Sequence, residues 1–331
     1  MLYRGDGAAQ VGTAPRHAVV LDGLSEPLVR ALHELDGRHC YDELLDRVPA
    51  GDRAALAELL AELMLAGLPE DAAGNGDPSA SPMQARVAAD TTSWTLRTGQ
   101  PRERVGQARE RSAVVVHGDG RLGVAIASLL AAAGVGWVHV AASGLVTAEQ
   151  SGCGYPDEDV GRPRRDAAAA ASRRASSSVR TAALSPGRLP DLAVLADAAV
   201  PCPRLVSTLT AAEVPHLVVR VREGTGWVGP LVVPGRTSCL RCLDLHRTDR
   251  DPCWPTVAAQ LAARAQPADL TCAQATAAFA VGQSLRILAG ETSETWNATL
   301  ELDPFSAEIT RRSWLPHPEC DCAAAGERAA P

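Results

Sequence analysis

Residues 113–123 read AVVVHGDGRLG, an apolar run followed by Gly-x-Gly-x-x-Gly. A strand that enters such a loop and continues into a helix is typical of Rossmann-type domains. There Gly118, Gly120 and Gly123 would allow a tight turn, close approach of a phosphate and close helix packing. Residues 122–133 are predicted to form the helix and residues 137–141 the next strand. The stretch therefore predicts an α/β fold with a Rossmann-like turn.

The second strand ends without the acidic residue that a nucleotide site of this type normally uses. In dinucleotide or ATP sites, a carboxylate at this position accepts hydrogen bonds from the ribose hydroxyls. Here the strand ends Ala141-Ala142-Ser143. This disfavours both an NAD-dependent dehydrogenase and an ordinary ATP site.

Downstream of the glycine loop, strands are predicted near 192–196 and 216–221, and a long helix over 272–288, which continues the α/β alternation. Upstream, short strand-like pieces at 2–3, 10–11 and 18–21 precede three helical segments, a pattern that predicts a winged helix-turn-helix. We therefore predict a winged-helix domain over 1–75, a connecting arm with one helix over 76–110, and the Rossmann-like domain over 111–331; the resemblance given below assigns peptide recognition to the first of these.

Composition excludes several functional classes. The chain has 331 residues, a net charge of −7 and 32 basic residues. All the basic residues are arginines, so no mechanism can depend on a lysine. With this net negative charge, the sequence shows no basic patch of the kind that nucleic-acid-binding proteins use. Residues 1–11 show neither a signal peptide nor a membrane span, so we expect a cytoplasmic protein without a nucleic-acid or membrane partner.

Two close cysteine pairs stand out among nine cysteines. Cys239 and Cys242 form a CxxC, and Cys320 and Cys322 form a CxC near the C-terminus. Two thiolate pairs from distant segments can complete a tetrahedral structural Zn²⁺ site. Ordinary unligated cysteines remain an alternative. A redox CxxC is disfavoured because the pair follows Pro234-Gly235-Arg236, a loop-like context rather than a helix start.

Taken together, four motifs resemble the ThiF/MoeB/HesA superfamily over about residues 111–325. They are Gly118-Asp-Gly-Arg-Leu-Gly123, Asp159-Val-Gly-Arg-Pro163, Val228-Gly-Pro-Leu-Val-Val-Pro-Gly-Arg-Thr-Ser-Cys-Leu-Arg-Cys242 and His317-Pro-Glu-Cys-Asp-Cys322. Within the superfamily, the run 229–247 and the closing His-Pro-x-Cys-x-Cys look most like the docking proteins of thiazole/oxazole-modified microcin biosynthesis. The N-terminal segment is similar to the peptide-recognition element fused to those proteins.

The resemblance implies a protein that binds the leader segment of a ribosomally made precursor peptide and works with a cyclodehydratase-type enzyme. Relatives are often homodimers, and we extend that as an expectation. For leader capture by strand addition, we select the strand Ala18, Val19, Val20 and Leu21, together with the third helix.

Active superfamily members use four charged groups to adenylate a carboxylate, and this chain matches them poorly. The ribose aspartate falls at Ala141–Ser143 and is missing, and the segment Leu145–Tyr155 lacks the phosphate-binding arginine. The lysine position is Arg164, which could retain weak phosphate affinity, while Asp197 keeps the Mg²⁺ position. Each such group contributes roughly 3 kcal/mol or more to the transition state. We therefore expect a non-catalytic protein in which ATP and Mg²⁺ binding is doubtful.

Two other functions remain open from the sequence. An active ATP-dependent adenylyltransferase could act on the C-terminus of a peptide or a sulfur carrier. A DNA-binding regulator is disfavoured because the third helix carries Asp52, Glu58 and Glu62 against the single base Arg53.

Overall fold

The structure is a computed structural model that describes residues 1–5, 7–15, 18–65, 68, 82–100 and 102–322. The chain divides into two compact units, Met1–Val105 and Gly106–Pro331.

The first unit begins with a three-stranded antiparallel sheet. Its strands are β1 (Leu2–Gly5), β2 (Ala8–Val11) and β3 (Val19–Leu21), in the order β1-β2-β3. Three helices follow, α1 (Glu26–His33), α2 (Tyr41–Asp46) and α3 (Arg53–Leu65). All three strands and all three helices lie where the sequence predicts them. Both β1 and β3 are edge strands of this sheet.

A cluster of apolar side chains from α1 and α3 forms the core of this unit. Ser25 begins α1 by accepting a hydrogen bond from the Leu28 N–H at 3.5 Å. The buried members of the cluster are Leu28, Ala31, Leu32, Val48, Leu56, Leu60 and Leu63. The half-buried Leu21 packs against them, so one face of β3 points into the core.

Two helices occupy the segment predicted to be an arm with one helix. They are α4 (Pro82–Thr98) and α5 (Arg102–Arg111), and the boundary between the two units falls within α5. Residues 76–81 of the predicted arm lie outside the described residues.

The second unit is built on a seven-stranded sheet in the order β10-β9-β8-β7-β6-β4-β5. Its strands are β4 (Ala113–His117), β5 (Trp137–Ala141), β6 (Leu192–Leu195), β7 (His216–Arg222), β8 (Thr225–Val232), β9 (Ala298–Asp303) and β10 (Glu308–Ser313). Its helices are α6 (Arg121–Ala132), α7 (Arg164–Ala175), α8 (Pro203–Ala211), α9 (Leu240–Arg250), α10 (Trp254–Leu261) and α11 (Leu270–Leu288).

The strands β5, β4, β6 and β7 run parallel, which confirms the predicted α/β organisation. The remaining strands β8, β9 and β10 add antiparallel to that half, so the sheet is mixed. These three strands escaped prediction for local reasons. The strand β8 contains Gly226, Gly229 and Pro230, and every residue of β10 is exposed, so neither shows an alternating apolar pattern.

The connections place one crevice at the carboxyl ends of the central strands. The strand β4 lies between β5 and β6, so the chain leaves β4 toward one side of the sheet and later returns on the other side. Loops after strands on either side of such a reversal diverge and leave space between them. The glycine loop after β4 and the residues after β6 meet at this point.

No helix within the described residues is both long enough and apolar enough to cross a membrane.

The two faces of α3 provide a matched test of the first unit's core. Leu60 is 4% exposed and Leu65 is 89% exposed on the same helix. We expect Leu60→Ala to lower the free energy of unfolding by about 2–5 kcal/mol, because it leaves a cavity, and Leu65→Ala to change it by less than about 0.5 kcal/mol. Urea unfolding followed by circular dichroism measures both variants. Equal losses would contradict this core.

Candidate functional site

The carboxylate of Asp197 binds the N-terminal end of the helix that follows the glycine loop. Its Oδ2 accepts a hydrogen bond from the backbone N–H of Gly120 at 2.9 Å. The N–H groups of Leu122 and Gly123 also donate to this side chain. Gly120 is the N-cap of α6 and has no side chain to satisfy these donors. A carboxylate from beyond β6 therefore supplies the acceptor that the helix end requires.

The three glycines of the loop are required by this packing. A Cβ on Gly118 would lie 2.6 Å from the Ala196 carbonyl oxygen, and one on Gly120 would lie 2.8 Å from Asp197 Oδ1. A Cβ on Gly123 would overlap the carbonyl oxygen of Gly118. The predicted Rossmann-like turn is present. The sequence pattern predicted that a phosphate would approach these glycines closely. In the structure, the carboxylate of Asp197 makes that close approach.

Asp197 is held in an unfavourable environment and conformation. Burial raises the pKa of its carboxyl to about 6, although hydrogen bonds from the loop amides act in the opposite direction. Its φ of 67° lies in the left-handed region, which is uncommon for a residue with a side chain. The surrounding structure therefore stabilises a position that Asp197 would not adopt alone.

Arg164 is also engaged by groups of the same pocket. Its Nη1 lies 3.2 Å from Asp119 Oδ1, and its Nε donates to Gln150 Oε1 at 3.0 Å. The other oxygen of Asp119 accepts from the N–H of Ser143 at 2.9 Å. Asp119 thus connects the glycine loop with the end of β5 and with α7. This pair is about four-fifths buried on both sides, which strengthens it relative to a surface ion pair.

A second arginine beside the loop is bound to carbonyl groups. Arg121 donates through Nε to the Ser151 carbonyl at 3.0 Å and through Nη1 to the Ala268 carbonyl at 3.2 Å. The glycine-loop crevice therefore holds two carboxylates and two guanidinium groups, and each is already bonded within the protein.

The four predicted zinc ligands come together at the start of α9. The Sγ atoms of Cys239 and Cys242 are 3.8 Å apart, those of Cys239 and Cys320 are 3.6 Å apart, and those of Cys242 and Cys322 are 3.5 Å apart. All four sulfur atoms lie within 4.8 Å of one another. A tetrahedron with Zn–S bonds of about 2.3 Å has edges of about 3.8 Å, so the spacing fits a four-coordinate metal ion. Disulfides of about 2.0 Å are excluded because all nine cysteines are free.

The matched family model, described as the ThiF family, covers residues 102–324, which is more than half of the chain. The chain belongs to the ThiF family. A sequence search of curated proteins gave no match.

Solved structures similar to this ThiF-family chain show the same fold. The structure of E. coli MccB with ATP has a TM-score of 0.70 and 16% identity, covering 98% of this chain and 97% of that one. A complex of the microcin C7 biosynthetic enzyme MccB with N-formylated MccA has a TM-score of 0.69 and 15% identity, with the same coverage. PaaA has a TM-score of 0.68 and 18% identity, covering 95% of this chain and 97% of that one.

No role was predicted for Asp119, whose carboxylate reaches the end of β5, the strand end that lacks a ribose-binding carboxylate. The residue stands between the first two glycines of the ThiF-type loop, and its Oδ2 reaches the backbone of Ser143 at the end of β5. The only signal in the sequence is an acidic residue inside the glycine loop. Its pairing with Arg164 depends on residues 45 positions apart.

The Asp159-Val-Gly-Arg-Pro163 motif has a structural role in this ThiF-family chain. The Asp159 side chain is fully buried and forms ion pairs with Arg162 and with Arg174, the latter at 3.3 Å. Removing either arginine would leave a buried carboxylate with fewer partners. The motif therefore fixes the loop that leads into α7 and positions Arg164.

The predicted loop context of the CxxC pair is wrong. Cys239 is the N-cap of α9 and Cys242 lies in its first turn, so the pair does stand at a helix start. The Pro-Gly-Arg sequence before it forms the turn that precedes this helix. A CxxC pair at a helix start is compatible with redox chemistry. However, the thiols of Cys320 and Cys322 lie at contact distance from the pair, and four clustered thiols favour a metal site.

The C-terminal segment is fixed beside the cysteine cluster by a histidine. His317 Nε2 lies 2.9 Å from Asp249 Oδ2, and its Nδ1 accepts from the Glu319 N–H at 3.1 Å. The backbone N–H of His317 donates to the sulfur of Cys242. Hydrogen bonds of this kind orient metal ligands, so the His-Pro part of the motif supports the CxC part.

In the first unit, the residues selected for peptide capture lie on an edge strand. Val19, Val20 and Leu21 form β3, and Ala18 immediately precedes it. Within the part of the chain that the structure describes, β3 pairs with β2 alone, and Val20 is 43% exposed.

Replacing Asp197 by Asn tests the cost of the buried carboxylate. In the wild type the unfolded carboxyl ionises near pH 4, whereas the folded one keeps its proton up to about pH 6. The wild type should therefore lose stability relative to Asp197→Asn as the pH rises from 4 to 6, and the difference should level off above pH 6. We expect a change on the order of 2–3 kcal/mol, since the Asn oxygen still accepts from Gly120.

Urea unfolding of both proteins from pH 4 to 8 measures this difference. Asp303→Asn is the control, because hydrogen bonds from Ser306 and from the Phe305 backbone lower the pKa of the exposed Asp303 carboxyl. The control should show no comparable change between pH 4 and 6. A wild type that gains stability over that interval relative to Asp197→Asn would contradict the assignment.

Proposed function

We propose that this ThiF-family protein binds the leader segment of a ribosomally made precursor peptide and presents it to a separate modifying enzyme. In this proposal the protein does not itself activate a carboxylate. The observation that carries the proposal is the occupation of the glycine-loop amides by Asp197. A phosphate would have to displace this carboxylate to reach the same donors.

The electrostatics of the crevice support the non-catalytic part of the proposal. A bound triphosphate needs unpaired cationic groups around it. Within the described part of the crevice, Arg164 faces Asp119 and Arg121 faces two carbonyl groups. The residues present therefore do not fit ATP in this arrangement.

The edge strand β3 supports peptide capture. An extended peptide can add to an exposed sheet edge through main-chain hydrogen bonds, while side-chain pockets select its sequence. Among the described residues, β3 is an edge strand that pairs on one side with β2, and the sheet with its three helices supports the winged-helix architecture predicted from the sequence. MccB, which has the same fold, has been solved with its partner MccA.

The pathway and the partners of this proposal follow from the resemblance of the sequence. In this proposal the protein acts in thiazole/oxazole peptide modification, with a cyclodehydratase-type enzyme as its partner. A homodimer is part of the same proposal.

The second candidate function is an active ATP-dependent adenylyltransferase. Two observations favour it: Asp197 remains at the position used for Mg²⁺ in active relatives, and the E. coli MccB structure with ATP has the same fold. For this function, Asp197 and Asp119 would both have to exchange their present partners for the nucleotide.

The proposal is tested with fluorescently labelled synthetic peptides that cover the N-terminal halves of short open reading frames identified by sequencing around this chain's gene. The variants Val20→Asp and Leu2→Asp form a matched pair, because the two side chains are 43% and 46% exposed on opposite edges of one sheet. Since a charge on an edge strand opposes strand addition, we expect Val20→Asp to weaken binding about tenfold and Leu2→Asp to leave it within about twofold. Fluorescence anisotropy measures the affinity.

Hydrogen exchange and an ATP assay complete the test. Bound leader should slow exchange in Val19–Leu21 and leave Leu2–Gly5 unchanged. Incubation of full-length precursor with ATP and Mg²⁺ should yield no AMP and no pyrophosphate exchange. Turnover that disappears in Asp197→Asn would instead establish the adenylyltransferase.

For the cysteine cluster, we propose a structural Zn²⁺ ion held by Cys239, Cys242, Cys320 and Cys322. Four thiolates leave no open position for a substrate, which distinguishes a structural zinc site from a catalytic one. The ion would join the start of α9 to the C-terminal segment, two parts of the chain about 80 residues apart. Zinc would also relieve the repulsion that four neighbouring thiolates would otherwise create.

Metal analysis of the purified protein should find about one zinc per chain. Cys320→Ser should remove most of the zinc and lower the Tm by several degrees, because the C-terminal segment loses its attachment. Cys253→Ser is the control, since Cys253 is exposed and outside the cluster. Full zinc content in Cys320→Ser would exclude this ligand set.

A further inference from the structure

A cavity of about 220 Å³ in the second unit lies apart from the glycine-loop residues. It is bounded by α8 and α9 and by the face of β7 that carries Val218 and Arg220. Its walls are mainly apolar, and include Val200, Val206, Val218, Pro230, Leu240 and Leu243. Exposed residues such as Pro203 and Arg241 are also part of the lining, so the cavity opens to solvent.

Arg220 is a buried cation at this cavity. The residue is 7% exposed, and its Nη1 donates to the Ala199 carbonyl at 3.2 Å. Its guanidinium carbon lies 5.1 Å from the centre of the Trp227 ring. Among the described residues, no carboxylate forms an ion pair with it. One carbonyl and one aromatic ring therefore provide its contacts.

The other two arginines of the lining differ from Arg220, because each has an acidic partner. Arg247 Nη1 lies 3.2 Å from Asp244 Oδ1, and Arg241 Nη1 lies 2.7 Å from Asp321 Oδ1. The cavity lining contains three arginines and one aspartate. An excess of positive charge remains there, and Arg220 carries it.

Burial of an unpaired cation opposes folding. Burial, followed by the nearby charges of Arg247 and Arg222, lowers the pKa of Arg220 to about 9, although the carboxylates of Asp244 and Glu301, which form no ion pair with it, act in the opposite direction. Buried charges in proteins are usually paired, because the cost of removing them from water is otherwise uncompensated. An arginine kept in this state beside an open cavity is suited to an anion that enters from solvent.

The shape of the cavity restricts the kind of anion. An apolar protein cavity of about 150 Å³ holds benzene, so 220 Å³ has room for a small hydrocarbon group together with a carboxylate. Guanidinium groups bind carboxylates through two parallel hydrogen bonds. The apolar walls disfavour a fully hydrated ion such as inorganic phosphate.

We propose that this cavity binds a small apolar carboxylate, with Arg220 as the residue that holds the carboxylate group and the α8 and α9 walls as the pocket for the hydrocarbon part. Such a ligand has two sources: a free organic acid, or the C-terminal residue of a peptide. The cavity lining contains no residue of the leader-binding strand or of the glycine loop, so the proposal goes beyond the function proposed above.

The test uses thermal shift and calorimetry on the full chain with N-acetyl-leucine, its uncharged analogue N-acetyl-leucinamide, inorganic phosphate and the peptide acetyl-Ala-Ala-Leu. N-acetyl-leucine should raise the Tm and bind measurably, whereas the amide and phosphate should not. Tighter binding of acetyl-Ala-Ala-Leu identifies a peptide C-terminus as the ligand, and binding of N-acetyl-leucine alone identifies a free acid. Equal effects of the acid and the amide, or an effect of phosphate alone, would overturn the proposal.

The variant Arg220→Met separates a ligand-binding role from a structural one. Because the charge is uncompensated without ligand, Arg220→Met should have an unchanged or higher Tm and no response to N-acetyl-leucine. The control Arg222→Met removes an exposed arginine of the same strand and should keep the response. Val206→Trp fills the cavity from α8, leaves Arg220 in place and should also abolish binding. A lower Tm in Arg220→Met together with N-acetyl-leucine binding that survives Val206→Trp would show that Arg220 is structural.

Discussion

The contact between the Asp197 carboxylate and the first turn of α6 determines how the central strands meet. An α-helix that begins with glycine presents backbone N–H groups without a local acceptor. Here the acceptor comes from the residue after β6, which is 77 positions from Gly120 along the chain. The contact therefore ties β6, the loop after β4 and α6 into one arrangement. It also explains why Asp197 keeps a positive φ and a buried charge, each of which is unfavourable alone.

The charged residues around this contact are also engaged by partners within the protein, unlike those of a nucleotide site. In a nucleotide site, loop amides and basic side chains are left with unused hydrogen-bonding capacity that the phosphates satisfy. In this chain the loop amides donate hydrogen bonds to Asp197, Arg164 pairs with Asp119, and Arg121 donates to carbonyl groups. The ThiF-family fold is thus maintained by its own internal charge pairs. A binding function in the first unit does not require the crevice of the second unit to take up a ligand.

The sequence predicted those features that depend on local pattern. Gly118, Gly120 and Gly123 sit in the predicted turn, β4 and β5 have the predicted bounds, and the four selected cysteines meet. Each follows from short-range spacing or from ligand chemistry. The role of Asp119 could not be predicted, because it depends on Arg164 and on the backbone of Ser143. The burial of Arg220 without an ion-pair partner was missed for the same reason, since its neighbours in the fold come from distant parts of the chain.

The helix α9 connects the cysteine cluster with the cavity, because its two faces serve different neighbours. Cys239 and Cys242, and then His246 and Asp249, contact the C-terminal segment at spacings of three and four residues. Leu240, Leu243, Asp244 and Arg247 line the cavity and repeat with the same period on another face, while Arg241, which also lines the cavity, reaches Asp321 of the C-terminal segment. The position of this cavity wall relative to β7 therefore depends on how firmly the C-terminal segment holds the opposite face. A metal ion at the four thiols would fix that face directly, so the rigidity of the Arg220 cavity is linked to the cysteine cluster through a single helix.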